Sequence, residues 1–145
     1  MKTEANGIQI NHKLSGQDSA PVVMLSHSLA SSMVMWNPQL ELLASRFKVL
    51  RYDMRGHGDS GAPEGAYTLE LLAEDAVALL DVLGIDHVHF VGLSIGGMIG
   101  QGLKSMGEVF GNEKHLAVFG RQLCSEPLKI GFGVFAQIDD HVKDR

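Results

Sequence analysis

Cysteine is almost absent: Cys124 is the only one in 145 residues. No intrachain disulfide can form, and the expected compartment is a reducing one, the cytoplasm. A basic excess is missing too. The formal net charge is −5 and no dense Lys/Arg cluster occurs, which argues against a nucleic-acid partner. The opening residues Met1-Lys2-Thr3-Glu4-Ala5-Asn6-Gly7 hold no apolar stretch of the signal-peptide kind. Residues 87–103 carry no Asp, Glu, Lys or Arg, yet that stretch is short for a membrane span, holds two histidines and is repeatedly broken by glycine. No membrane partner is expected. Hydrophobic residues, at 45%, are ample for the core of one ordinary domain.

The chain is organised around Val91-Gly92-Leu93-Ser94-Ile95-Gly96-Gly97. The run His87-Val88-His89-Phe90-Val91 before it reads as a buried strand, and a helix-like apolar pattern follows. Gly-x-Ser-x-Gly between a strand and a helix is a nucleophile elbow. The turn is so tight that Ser94 is expected in a strained backbone conformation with its hydroxyl exposed. Gly92 and Gly96 lack the Cβ that would collide where strand and helix nearly touch. A helix starting near Ile95 aims backbone N–H groups and the positive end of its dipole at an oxyanion beside Ser94.

Taken in order, residues 7–14 alternate apolar and polar, as in a half-exposed antiparallel strand near an edge. Val22-Val23-Met24-Leu25 is the continuous apolar run of a central parallel strand. It ends in the small-residue loop Ser26-His27-Ser28-Leu29-Ala30-Ser31-Ser32, at the strand end where open α/β sheets hold ligands. Met35-Trp36-Asn37-Pro38 leads into a helix through about Ala44, and residues 47–53 form a further strand. The loop beyond contains Gly56-x-Gly58-x-x-Gly61, formally a dinucleotide fingerprint. That motif needs a helix to begin within it, and Ala62-Pro63-Glu64-Gly65-Ala66 is turn chemistry instead. The nucleotide reading is discarded. Thr68 is a good N-cap, Leu69, Leu72, Ala76, Leu79, Leu80 and Leu83 recur at helical spacing, and Gly84 suits the helix end. Strand and helix alternate throughout, which predicts a mostly parallel sheet with helices on both faces.

The loop of residues 26–30, the segment Asp53-x-Arg55-Gly56-x-Gly58-x-Ser60 and the elbow at Ser94 occur here in the order they take in α/β-hydrolases. The closer resemblance is to 3-oxoadipate enol-lactonases of the β-ketoadipate pathway. It rests on Leu25-Ser26-His27-Ser28-Leu29, on residues 35–40, on residues 49–58, and on residues 92–101. What it implies is an α/β-hydrolase fold and a small-molecule lactone or ester substrate, with no cofactor. Ser94 would be the nucleophile, and the backbone N–H groups of Leu29 and Ile95 would hold the oxyanion. Trp36 is a candidate for lining the substrate pocket near Leu29, against the plainer alternative of core packing. Asp53 and Arg55 match positions that look structural in the family. His27 and His57 read as hydrogen bonders bracing their loops.

The resemblance covers residues 7–101, so the chain divides into residues 1–101, the front of a truncated α/β-hydrolase domain with its elbow, and residues 102–145, a divergent tail. Residues 102–107 finish the elbow helix and residues 115–119 suit a strand. In this fold the acid and then the base follow the nucleophile in the chain. The histidines after Ser94 are His115, at the wrong end of its strand, and His141, directly after Asp139 and Asp140, a poor arrangement for a triad. The expectation is a chain that alone is very weakly active or inactive. Other ester hydrolysis, cofactor-free perhydrolase chemistry and a non-catalytic fragment stand as alternatives. His87-x-His89 has a spacing used by metal sites but no evident third ligand, so no metal is expected. An uncovered strand edge predicts self-association.

Overall fold

The computed structural model describes residues 1–110 and 116–119, with side chains through Leu103. His115, Cys124, Asp139, Asp140 and His141 lie outside the described residues. The chain opens with a hairpin of β1 (Lys2–Ala5) and β2 (Ile8–Ser15). Its two-residue turn is Asn6-Gly7, with φ of 48° and 75°. A tight hairpin demands positive φ at both positions, and Asn-Gly supplies it at least cost. β2 is the antiparallel strand expected near an edge of the sheet, and β1 forms the edge itself, with Lys2 and Glu4 exposed along it.

Strands β3 (Val22–Ser26), β4 (Lys48–Tyr52), β5 (Val88–Gly92) and β6 (Leu116–Phe119) complete a six-stranded sheet of order β1-β2-β4-β3-β5-β6. β2 runs antiparallel to β1 and β4, and the remaining pairings are parallel. A short 3-10 turn, Met33–Trp36, leads into helix α1 (Asn37–Ala44). Pro38 sits in the first turn of α1, where a missing N–H costs nothing.

Helix α2 (Leu69–Val82) is capped at both ends by its own sequence. Thr68 Oγ1 accepts the Leu71 N–H at 3.2 Å. At the other end Gly84, with φ of 65°, donates to the Asp81 carbonyl, and Ile85 donates to that of Leu80 at 2.9 Å. That pair of bonds is a Schellman closure. Helix α3 (Ile95–Phe110) then runs unbroken through positions 101 and 102. No helix among the described residues is long and apolar enough to cross a membrane.

Strand pleating sends alternate residues to opposite faces. Met24, Leu50 and Phe90 point to one side, fully buried, and pack with Leu72, Ala76 and Leu79 of α2 and Ile99 of α3. Val23, Leu25 and Val49 point to the other and meet Leu40 and Leu43 of α1. Burying each such large side chain contributes roughly 1.5–3 kcal/mol against leaving it in water. The sheet is thus covered on both faces, and its parallel strands send their C-terminal ends toward one set of loops.

Candidate active site

The local sequence forces the elbow. β5 ends at Gly92, α3 begins at Ile95, and two residues must reverse the chain between them. Ser94 takes the strain, with φ of 56° in the left-handed region. For a residue with a Cβ that costs of order 1 kcal/mol. The turn is fixed by Gly96 N–H to the Leu93 carbonyl (3.0 Å) and Gly97 N–H to the Ser94 carbonyl (2.9 Å). Ser94 is exposed. Both flanking glycines are required by space. A Cβ on Gly92 would overlap the backbone of Gly96, and one on Gly96 would lie 2.5 Å from the Ser26 carbonyl oxygen.

The register of β3 against β5 pairs Ser26 with Gly92, and Leu93 N–H donates to the Ser26 carbonyl at 3.1 Å. The loop after Ser26 and the elbow after Gly92 therefore leave the sheet side by side. In that loop Ser28 N–H is turned to the Met35 sulfur (3.4 Å) and Ala30 N–H to His57 Nε2 (3.3 Å). Ala30 has φ of 55°. The Leu29 amide between them has no acceptor among the described residues. Ile95, opening α3, presents one of the first-turn amides that a helix leaves without an intrahelical partner. Leu29, Leu93 and Met98 leave apolar side chains exposed around these two loops.

Trp36 packs on the face of the sheet that α1 covers. It is half-buried against the Val23, Leu25 and Val49 cluster, and its indole nitrogen has no partner among the described residues. An open depression lined by residues 18–22, Lys48 and residues 83–87 lies at the N-terminal ends of β3, β4 and β5, away from Ser94. No group of three possible metal ligands occurs among the described residues, and His89, half of the His87-x-His89 pair, stacks edge-on to Phe47.

Beneath the loops lies a buried polar frame. Asp53 Oδ1 accepts Met33 N–H at 2.7 Å, while Oδ2 accepts the Asn11 side-chain amide (2.8 Å) and Asp59 N–H (3.0 Å). Burial alone would raise this carboxyl. The three donors, aided by the nearby His27 ring, outweigh burial and hold it below the usual carboxylate value. Gly58 curls over the same carboxylate with φ of 50°, leaving no room for a side chain. Of the three glycines of the nucleotide-like motif, Gly58 covers a carboxylate of its own chain, Gly56 lies against the Tyr67 ring and Gly61 against Ile8.

Arg55 makes a two-pronged pair with Asp75 of α2, Nε to Oδ2 at 2.7 Å and Nη2 to Oδ1 at 2.6 Å. Its Nη2 also donates to the Asn6 carbonyl at 3.0 Å. The hydrogen bonds to Asp75 push the guanidinium pKa up. Asp75 was not legible as a site residue, although a lone Asp on the Leu72, Ala76 and Leu79 stripe was a signal for a buried partner. His27 donates from Nδ1 to the Ser28 carbonyl (2.8 Å) and accepts Met54 N–H at Nε2 (3.0 Å). With both nitrogens engaged it is a brace and has no free lone pair for a base.

Burial lowers the His27 pKa, against the raising effect of the Ser28 carbonyl. The unfolded chain therefore takes up a proton that the native state refuses. Stability is full above the ordinary histidine value of about 6.5 and is lost as pH falls from there through the depressed one. Asp53 acts in the same direction lower down: its contribution is present above about 4 and is lost as pH falls through its own depressed value. The urea midpoint is expected to be lower at pH 5 than at pH 7.5. In His27→Gln that difference should shrink, and an unchanged difference would exclude His27 as its source.

Residues 21–102 match the family described as alpha/beta hydrolase fold. Among curated relatives, 3-oxoadipate enol-lactonase 1 of Acinetobacter baylyi is 40% identical over 98 residues, covering 68% of this chain and 36% of that protein. Among solved structures, the enol-lactonase of Burkholderia xenovorans superposes with a TM-score of 0.68 at 43% identity, over 69% of this chain and 39% of that one. A hydrolase of Pseudomonas aeruginosa gives 0.67 at 43%, over 70% and 38%. The chain spans a little over a third of the length of these relatives. A glycine-walled turn that holds Ser94 in a left-handed conformation, on a sheet wound on both faces, agrees with the family match over more than half the sequence: the chain belongs to the α/β-hydrolase fold family.

Proposed function

We propose that this chain carries the nucleophile and the oxyanion-binding amides of a carboxylic-ester hydrolase site of the enol-lactonase type. The observation that carries the reading is Ser94 itself, exposed and at positive φ on the turn into α3. Ser94 Oγ attacks the lactone carbonyl, and the charge that develops on the carbonyl oxygen is met by the Ile95 and Leu29 amides. The ring C–O bond breaks, the enol oxygen takes up the proton that the Ser94 hydroxyl has lost, and the enol tautomerises to a ketone. Water then cleaves the acyl-serine and regenerates the hydroxyl. The relatives named enol-lactonase support the lactone over other esters.

The acid and base that the fold places after the nucleophile are not among the described residues. Losing the base of a serine site costs on the order of 10⁶ in turnover. A site acting without that base is expected to form a covalent adduct slowly and to turn over esters very weakly.

A fluorophosphonate probe with mass-spectrometric mapping tests the reading. Slow labelling confined to Ser94, abolished in Ser94→Ala, is the expected result. No adduct on folded wild-type protein would sink it. Robust, Ser94-dependent hydrolysis of p-nitrophenyl acetate would overturn the expectation of weak turnover.

A further inference from the structure

We infer that His57 is a positioning residue for the oxyanion-binding loop: as a neutral imidazole it holds the Ala30 amide and so sets the Leu29 amide toward Ser94, and protonating it releases that loop. The inference rests on the reading of Leu29 given above. His57 Nδ1 lies 3.0 Å from the Arg55 carbonyl, which can only accept, so Nδ1 carries the proton. Nε2 is then a lone pair, and Ala30 N–H donates to it at 3.3 Å. That bond fixes the peptide following Leu29 in a loop already strained, with Ala30 at φ of 55°.

On the far side the Ser28 amide is tied to the Met35 sulfur. Two amides of three are clamped and the middle one is left over. Protonation puts a second N–H on the imidazole, facing the Ala30 N–H. Two donors then oppose each other and the clamp opens.

Of the two neighbouring rings, His57 is the one that solvent reaches. His27, whose ring centroid is 5.2 Å away, is fully buried, whereas His57, with both nitrogens engaged in the same way, is half-exposed. The other charged groups near the pair are Asp53, committed to its three donors, the Asp59 side chain two residues along, and the Arg55 guanidinium, held by Asp75. None of these supplies a second acceptor that would hold the Ala30 amide once His57 is charged.

The test uses the full chain labelled with ¹⁵N. Long-range proton–nitrogen spectra report the His57 tautomer, and the Ala30 amide resonance is followed through the same pH titration. An Nδ1–H ring at neutral pH and one midpoint shared by His57 and Ala30 are expected. In His57→Gln, whose side-chain oxygen accepts but does not titrate, the Ala30 amide should lose that pH dependence. Fluorophosphonate labelling of Ser94 should lose its acid limb in the same variant. An Nε2–H ring, an Ala30 amide blind to His57, or an acid limb unchanged in His57→Gln would each overturn the inference. If His57→Gln fails to fold, the wild-type titration alone decides. Absence of Ser94 labelling at every pH, with Ala30 still coupled to His57, defeats the nucleophile reading and leaves the clamp standing.

Discussion

Replacing Asp75 with alanine is expected to destabilise the fold by about 3–5 kcal/mol, the cost of leaving a buried ionic partner alone. The side chains of Arg55 and Asp75 are only 8% and 2% exposed. Alanine at 75 therefore leaves a guanidinium with no counterion in a place water does not reach, and removes the acceptor of the Asn6 side-chain amide (2.7 Å) as well. For a folded unit of this size the loss corresponds to a drop in Tm on the order of 10–20 °C. Thermal and urea melts of wild type and Asp75→Ala measure it.

A cost below about 1 kcal/mol would mean that the pair is open to water and that its burial is misjudged. The pair need not be a large net source of stability. Two charges withdrawn from water repay most of their attraction in lost hydration, so the double change Arg55→Met with Asp75→Leu should recover most of the loss. What the pair does is join three elements. Arg55 belongs to the loop that holds Asp53 and His57, Asp75 belongs to α2, and the Asn6 carbonyl belongs to the β1–β2 turn. Through that junction the hairpin at the start of the chain supports the loop beneath Ala30.

The elbow was legible because its requirements are local. A buried strand, a glycine two residues either side of a serine and a following apolar helix leave one way to turn, and the structure puts Ser94 at positive φ there. The ends of α2 were legible for the same reason, Thr68 and Gly84 each acting on their own helix. β1 was not legible from hydrophobic pattern, since Lys2-Thr3-Glu4-Ala5 buries only Ala5. The signal that reveals it is Asn6-Gly7, a hairpin turn that requires a strand on each side.

The polar frame is a harder case. Asp53, Arg55 and His57 stand out in sequence, but their partners Asn11, Asp75 and the amides of Met33 and Ala30 lie 20 to 42 residues away. Only the folded sheet brings those together. A reading of motifs finds one end of each bond and leaves the other blank.

Two glycines of α3 should respond to the same substitution in opposite directions. Gly96→Ala is expected to cost about 3 kcal/mol or more, at the upper end of overpacking penalties. Its Cβ would stand 2.5 Å from the Ser26 carbonyl oxygen and 2.9 Å from that of His27. Those obstacles are backbone, and one of them accepts the Leu93 amide, so neither swings aside as a side-chain tip can. Relief requires α3 to withdraw from β3, which carries Ser94 and Ile95 away from the loop bearing Leu29. Labelling of Ser94 should fall along with stability. Gly102→Ala meets only the Ala73 Cβ at 3.6 Å, an ordinary contact, and α3 is helical there. Removing the backbone freedom of a mid-helix glycine stabilises by up to about 1 kcal/mol. Urea denaturation of the two variants beside wild type separates close packing from helix propensity. Equal small gains at both positions would mean that the helix does not touch the β3 backbone, and the geometry of the turn at Ser94 would have to be abandoned.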